Sequence, residues 1–155
     1  MVTTALAAAA RVVDPELRVV TIEDLGILRD VTVGEDGTVH VTITPTYSAC
    51  PAMDAIRADI ARELAAEGYP EVEIRTVLSP PWSTDWISDE GRAKLAGAGT
   101  APPPARSLPM LARTPVCPRC GSAQVEEISR FGSTACKSLW RCRGCAEPFD
   151  HVKVL

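Results

Sequence analysis

Cys117-Pro118-Arg119-Cys120-Gly121 and Cys142-Arg143-Gly144-Cys145 are two Cys-x-x-Cys knuckles with 21 residues between them. That spacing brings two tight turns together at the ends of a small antiparallel sheet and offers four thiolates to one tetrahedral ion. Glycine in or just after each knuckle permits the sharp turn that points backbone N–H groups at sulfur. The segment 115–155 has few large apolar side chains, Val116, Val125, Ile128, Leu139, Trp140 and Phe149 among them, too few to fold it unaided. Metal binding supplies what this core lacks, and the expectation is a β zinc ribbon with one structural zinc on Cys117, Cys120, Cys142 and Cys145. Two disulfides are the weaker reading in a reducing compartment. Iron in a rubredoxin-like site is the chemical rival, since thiolates hold both metals.

Upstream, residues 96–114 are rich in Ala, Gly and Pro, and Pro102-Pro103-Pro104 favours an extended backbone, so this stretch reads as a semi-rigid linker. It leaves residues 1–95 for a first domain. The whole chain is 46% hydrophobic but only 5% aromatic, so the core of this domain is built from Val, Ile, Leu and Ala. Charge is divided unevenly: residues 1–100 hold 8 Lys/Arg against 16 Asp/Glu, hence −8, whereas 115–155 hold 6 against 4, hence +2. An acidic body repels a polyanion, so no nucleic acid is expected as its partner. The Ala-rich start has no basic n-region, and Arg11 and Asp14 interrupt it, so neither a signal peptide nor a membrane span is expected. The expected location is the cytoplasm.

Within the first domain, residues 3–13 read as a short helix with Leu6, Ala9, Ala10 and Val13 on one face. Asp14-Pro15 ends it. Ile27, Val31 and Val33, then Val39, Val41 and Ile43, mark two strands joined by a Gly34–Gly37 hairpin turn. Pro51 reads as the first helical residue with Cys50 as its N-cap, and Met53, Ile56, Ile60 and Leu64 form the helix's apolar face up to Gly68. Val72–Leu78 reads as a third strand, and a short helix follows Ser88. The pattern is α+β: a three-stranded mixed sheet with packed helices, then the ribbon.

Cys50 stands apart from the other five cysteines. At a helix N-cap its thiol faces unsatisfied N–H groups, which favour thiolate. Asp14-Pro15-Glu16 places two carboxylates around a rigid turn, and with Asp24 and Cys50 they offer oxygen and sulfur ligands for iron or zinc. A plain cap residue and a helix-ending turn are the ordinary alternatives. His40 and His151 are the only histidines, and neither is indicated beside Cys50, so covalent catalysis is not expected. Cys136 alternates with Ser138 and Trp140 in a strand pattern, either as a small core residue or as a second thiol site. Trp82 and Trp86 either pack on the sheet or anchor a partner.

Taken together, Asp14-Pro15-Glu16, Asp24-Leu25-Gly26-Ile27 and Thr46-x-x-x-Cys50-Pro51 resemble the signature of the small domain of SufT-like iron–sulfur assembly factors, found also in a component of the eukaryotic cytosolic iron–sulfur targeting complex. Pro80-Pro81-Trp82-Ser83-Thr84-Asp85-Trp86-Ile87, Phe131-Gly132-Ser133-Thr134-x-Cys136-Lys137 and Pro148-Phe149-Asp150 narrow the resemblance to the PaaD family (also PaaJ) of the bacterial phenylacetyl-CoA epoxidase system. The resemblance implies an accessory protein of aerobic phenylacetate degradation, where a di-iron monooxygenase and a reductase carrying flavin and an iron–sulfur cluster are the client metalloproteins. It implies maturation of a metallocentre, with Cys50, Asp14 and Glu16 as a transient site for iron or an iron–sulfur cluster. Trp82, Trp86 and Cys136 are candidate partner-binding residues. A structural subunit of the epoxidase complex and a rubredoxin-like electron carrier are the alternatives, and a homodimer is compatible with each. The chain lacks the Glu-x-x-His pairs of a di-iron site and any dinucleotide fingerprint, so it is not the oxygenase.

Overall fold

Fifteen helical residues with an apolar stripe and three short β-rich segments dictate a sheet with a helix laid across one face, and the computed structural model has that arrangement. It describes residues 1–47, 49–104 and 114–154, which divide into two compact units, Met1–Ser88 and Asp89–Leu155.

In the first unit, β1 (Leu28–Val33) and β2 (Val39–Ile43) form an antiparallel hairpin, and β3 (Val72–Thr76) adds to β2 in parallel, in the order β1-β2-β3. The parallel step requires a crossover, supplied by α2 (Ala52–Ala66). Met53, Ile56, Ile60 and Leu64 of α2 are buried, as are Val39, Val41 and Ile43 of β2. Each such side chain contributes about 1.5–3 kcal/mol on leaving water. His40, exposed between Val39 and Val41, pairs across the sheet with Glu73 at 3.1 Å.

Helix α1 (Val2–Ala10) corrects the expected stripe. Ala5, Ala8, Ala9 and Val12 are buried, whereas Leu6 and Val13 are exposed. A run of alanines carries no amphipathic contrast; the face that packs is the one whose small residues allow close approach. The helix also ends before 13, because residues 12–14 turn extended. Ile22 N–H donates to Val12 O (2.8 Å) and Asp14 N–H to Val20 O (3.0 Å).

Asp14 and Asp24 each organise a turn. Asp14 Oδ1 accepts the N–H groups of Glu16 (2.9 Å) and Leu17 (2.8 Å). Thr21 and Asp24 cap each other reciprocally, each side chain accepting the other's N–H at 3.0 Å. Gly26 follows at φ +72°, where a Cβ would lie 2.7 Å from Trp86 Cβ. Trp82 donates Nε1–H to Leu25 O at 2.8 Å.

The second unit starts with α3 (Asp89–Gly97) and a four-stranded sheet ordered β4-β7-β6-β5: β4 Thr100–Ala101, β5 Val125–Ser129, β6 Lys137–Cys142 and β7 Pro148–Val152. This moves the expected boundary at 95 and the start of the 96–114 linker. Both α3 and β4 belong to the ribbon unit, because Ala101 pairs in parallel with His151 and enters the ribbon core. The part of the linker at 105–113 lies outside the described residues. That core is small: Ala101, Cys117, Cys142 and Phe149, with Val125, Trp140 and Cys145 packed on it. Among the described residues no helix is long and apolar enough to cross a membrane.

The two knuckles close alike. Cys117 N–H donates to Ser122 O (3.0 Å) and Cys142 N–H to Glu147 O (2.9 Å). The residue before each closing carbonyl is left-handed: Gly121 at φ +75° in the first, but Ala146 at φ +65° in the second. Alanine there costs about 1–2 kcal/mol. Ala146→Gly should therefore raise stability by about 0.5–1 kcal/mol in urea denaturation of the metal-loaded protein, once the extra freedom of unfolded glycine is offset. Gly26→Ala should do the opposite and cost at least about 2 kcal/mol in the same assay, through both φ and the clash with Trp86.

Candidate functional site

The four knuckle cysteines converge. Their sulfurs all lie within 4.8 Å of one another, with Cys117–Cys145 at 3.8 Å and Cys120–Cys142 at 3.5 Å. Four sulfurs at about 2.3 Å from a tetrahedral ion would stand about 3.8 Å apart, so these two pairs already match, and side-chain shifts of about 1 Å would seat zinc or iron. None of the six cysteines is in a disulfide. The N–H groups of Gly144 and Cys145 approach Cys142 Sγ at 3.3 and 3.5 Å. These donors suit a thiolate, and Cys142 is pushed down to about 6, first by the Cys145 N–H. For Cys120 the Ser122 N–H is the largest single influence and lowers it, yet the Cys142 sulfur and the other raising influences prevail and push it up to about 11. The two sulfurs thus share a proton that a metal ion would displace.

The arginines near the knuckles are engaged locally. Arg119 pairs with Glu147 at 2.9 Å and Arg143 with Glu126 at 2.7 Å. Lys137 is buried; its Nζ donates to Ser133 Oγ (3.0 Å), which donates to Asp150 Oδ2 (2.8 Å). A Cβ on Gly132 would meet Asp150 Oδ1 at 2.7 Å. Gly132, Ser133, Lys137 and Asp150 thus form one tie that fixes the loop before β6. Sequence periodicity misses it, because a buried lysine mimics a surface one; Gly132 is the available signal. Cys136 lies in this loop rather than in the expected strand, half-buried, with Thr134 Oγ1 3.1 Å from its sulfur. It is outside the four-cysteine cluster. His151 is buried on β7, and desolvation lowers its pKa to about 4, so it is neutral.

The second place of interest is the corner at Cys50. The expected cap shifts by one residue: Pro51 is the N-cap of α2, because Met53 N–H bonds Cys50 O (3.3 Å) in a tight first turn. The expected thiolate is corrected as well. Burial, the largest influence, pushes the Cys50 thiol up, and the Glu16 and Asp14 carboxylates push it further. The Ala52 N–H and the Thr46 side chain pull it down without prevailing. The structure thus brings Asp14 and Glu16 within electrostatic reach of Cys50, but the three do not close into a ligand shell. Asp24 is committed to Thr21 and, through its carbonyl, to Ser88 N–H at 2.8 Å.

Trp82 is buried against Leu25, and Trp86 packs on Gly26 with the Arg29 guanidinium 3.9 Å above its ring.

Comparison with known proteins divides the chain in the same sense. Residues 2–77 match the family described as iron–sulfur cluster assembly protein, and residues 101–153 match the PaaD zinc beta ribbon domain. The D component of the 1,2-phenylacetyl-CoA epoxidase of Escherichia coli is 42% identical over 150 residues, covering 94% of this chain and 88% of that protein. An Fe-S protein maturation auxiliary factor of Bacillus subtilis is 41% identical over 93 residues, covering 58% of this chain and 88% of the factor. Among solved structures, a domain of unknown function from Bacillus anthracis aligns with a TM-score of 0.56 at 32% identity, covering 61% of this chain and 90% of that one. A conserved hypothetical protein from Thermotoga maritima aligns at 0.52 and 29%, covering 61% and 93%. With one relative matching along nearly its whole length and both halves in their families, the chain belongs to the PaaD family, an iron–sulfur assembly domain followed by a PaaD zinc ribbon.

Proposed function

We propose that this protein is a non-catalytic accessory factor of the phenylacetyl-CoA epoxidase system in aerobic phenylacetate degradation, acting in the cytoplasm on the assembly of a client metallocentre. Its clients would be the oxygenase and reductase components. One observation carries the reading: Cys50 is a half-buried thiol held protonated next to two carboxylates. A metal ion or cluster bound there must displace a proton that the site favours, which weakens the hold and makes release easy. A carrier needs that property, whereas a permanent site does not. The likeness to Fe-S maturation factors over the same domain supports this reading.

The ribbon would hold a structural zinc through Cys117, Cys120, Cys142 and Cys145. The ion would cross-link four side chains of a unit whose own core is only a few residues deep. Stripping the metal with a strong chelator should unfold the ribbon and leave Met1–Ser88 folded. Limited proteolysis would then cut within 114–154 and spare the first unit. Protein purified without oxygen should contain one zinc and no ribbon chromophore. A red protein that loses colour on Cys117→Ser or Cys142→Ser would overturn zinc in favour of an electron carrier.

Cys50→Ala should keep the fold yet abolish epoxidase activity in a reconstituted pathway; full activity would sink the assembly role. Independently, the alkylation rate of Cys50 should rise with pH through an inflection above the usual thiol range. Because the Glu16 carboxylate helps to raise it, Glu16→Gln should move that inflection to lower pH. An unmoved inflection would remove Glu16 from the site.

A further inference from the structure

Strand β3 is an open edge: it pairs with β2 on one side and, among the described residues, with no strand on the other. Such an edge is a template for a further strand, and folded chains usually blunt it. The other three sheet edges are blunted. β1 carries a bulge at Arg29 and β5 one at Ile128, and β4 is only two residues long. β3 instead runs in unbroken register with β2 over all five residues and contains neither proline nor lysine. Val39 N–H donates to Glu71 O and Val77 N–H to Ile43 O, both at 2.9 Å. Residues 71, 73, 75 and 77 therefore turn their backbone groups towards β2, while Val72, Ile74 and Thr76 turn theirs outward. Side chains alternate in step. Thr76 accepts a hydrogen bond from Arg57 of α2, which puts 72, 74 and 76 on the helix side. Glu73 and Arg75 are exposed on the opposite face.

We propose that this edge is a self-association site, where β3 pairs antiparallel with β3 of a second copy of this chain about a two-fold axis at Ile74. Charge selects both the occupant and the register. Backbone bonding requires outward-turned residues to face one another, which leaves three well-overlapped registers. Centring on Glu73 sets Glu73 against Glu73, and centring on Arg75 sets Arg75 against Arg75. Centring on Ile74 sets each Glu73 against an Arg75, twice, in the pairs whose side chains stand closest. Arg75 makes no ion pair among the described residues, and the Glu73 side chain is 73% exposed although it meets His40. A strand with one anion and one cation placed symmetrically about its centre is complementary to its own reverse. The product is a continuous six-stranded sheet. Cys50 follows β2, to which β3 is parallel, so the antiparallel junction places the two Cys50 corners at opposite ends of that sheet. A five-residue edge is small for an interface, so the dimer should dissociate reversibly, at about micromolar concentration or above.

The test is sedimentation velocity on the metal-loaded full chain, from about 1 to 500 µM, at low salt. The unaltered chain should pass from monomer to dimer across this range. Glu73→Arg and Arg75→Glu, both at exposed positions, should each raise the dissociation constant at least about tenfold, since two attractive pairs become two repulsive ones. An equimolar mixture of these two variants should dimerise again, because every 73–75 pair is then opposite in charge. The double variant E73R/R75E should dimerise alone, for the same reason. A chain that stays monomeric at 500 µM overturns the proposal. So does a dimer that the single reversals leave unchanged, which would place the contact elsewhere, or a mixture of the two variants that stays monomeric.

Discussion

Four sulfurs within 4.8 Å of one another are the constraint on which the ribbon depends. Thiolates at that distance repel, so a cation among them would relieve the repulsion and tie the two knuckles together. The sulfurs are also structural in a second sense. Cys117 and Cys142 supply half of the four-residue buried cluster, and the strands carrying Ala101 and Phe149 close over them. An ion held by these sulfurs would therefore be part of the same core. The ring of local ion pairs around the knuckles, Arg119–Glu147 and Arg143–Glu126, adds little energy at exposed positions, but it leaves those cations already neutralised.

The first unit solves a different problem. Its apolar face buries Ile, Leu and Val enough to fold without metal, so its thiol is free of structural duty. Its turns include the Asp14 turn, whose carboxylate lies within electrostatic reach of Cys50, and the Thr21–Asp24 reciprocal cap. Each is fixed by local hydrogen bonds rather than by the thiol. The glycine at 26 lets Trp86 press on the second of these turns, and Trp82 locks the adjoining carbonyl. The corner is held in shape from outside, which is how a binding group can stay weakly occupied without the fold drifting.

Much of this is legible in the sequence, for reasons that differ by element. Helix α2 and strand β2 declare themselves, because large apolar residues recur at the helix or strand period and turn residues flank them. The knuckles declare themselves because thiol chemistry needs few residues at fixed spacing. Helix α1 is visible in the sequence but its buried face is not, since alanines rank alike on any hydrophobic stripe. Strand β4 reads as linker because two residues make no period. For Trp82 the sequence leaves packing and partner anchoring both open, because its partner is the carbonyl of Leu25, 57 positions away. At Cys50 the helix-end effect that sequence emphasises is present, in the Ala52 N–H, but burial is larger and reverses the outcome. Burial is a property of the whole unit and has no local signature.

The two thiol environments differ in a way that bears on how the chain divides its work. At the knuckles, N–H groups aimed at Cys142 draw it towards thiolate before any ion arrives, which favours tight and lasting capture. At Cys50 the nearest charges are negative and the surroundings partly dry, so the proton is retained and any metal competes with it. A single chain that held both sites at equal strength would sequester cargo in its own ribbon. One knuckle sulfur drawn towards thiolate and one reluctant thiol in the assembly domain set the two environments apart by electrostatics alone. On the carrier reading, an ion would stay in the ribbon and a metal would leave from the Cys50 corner.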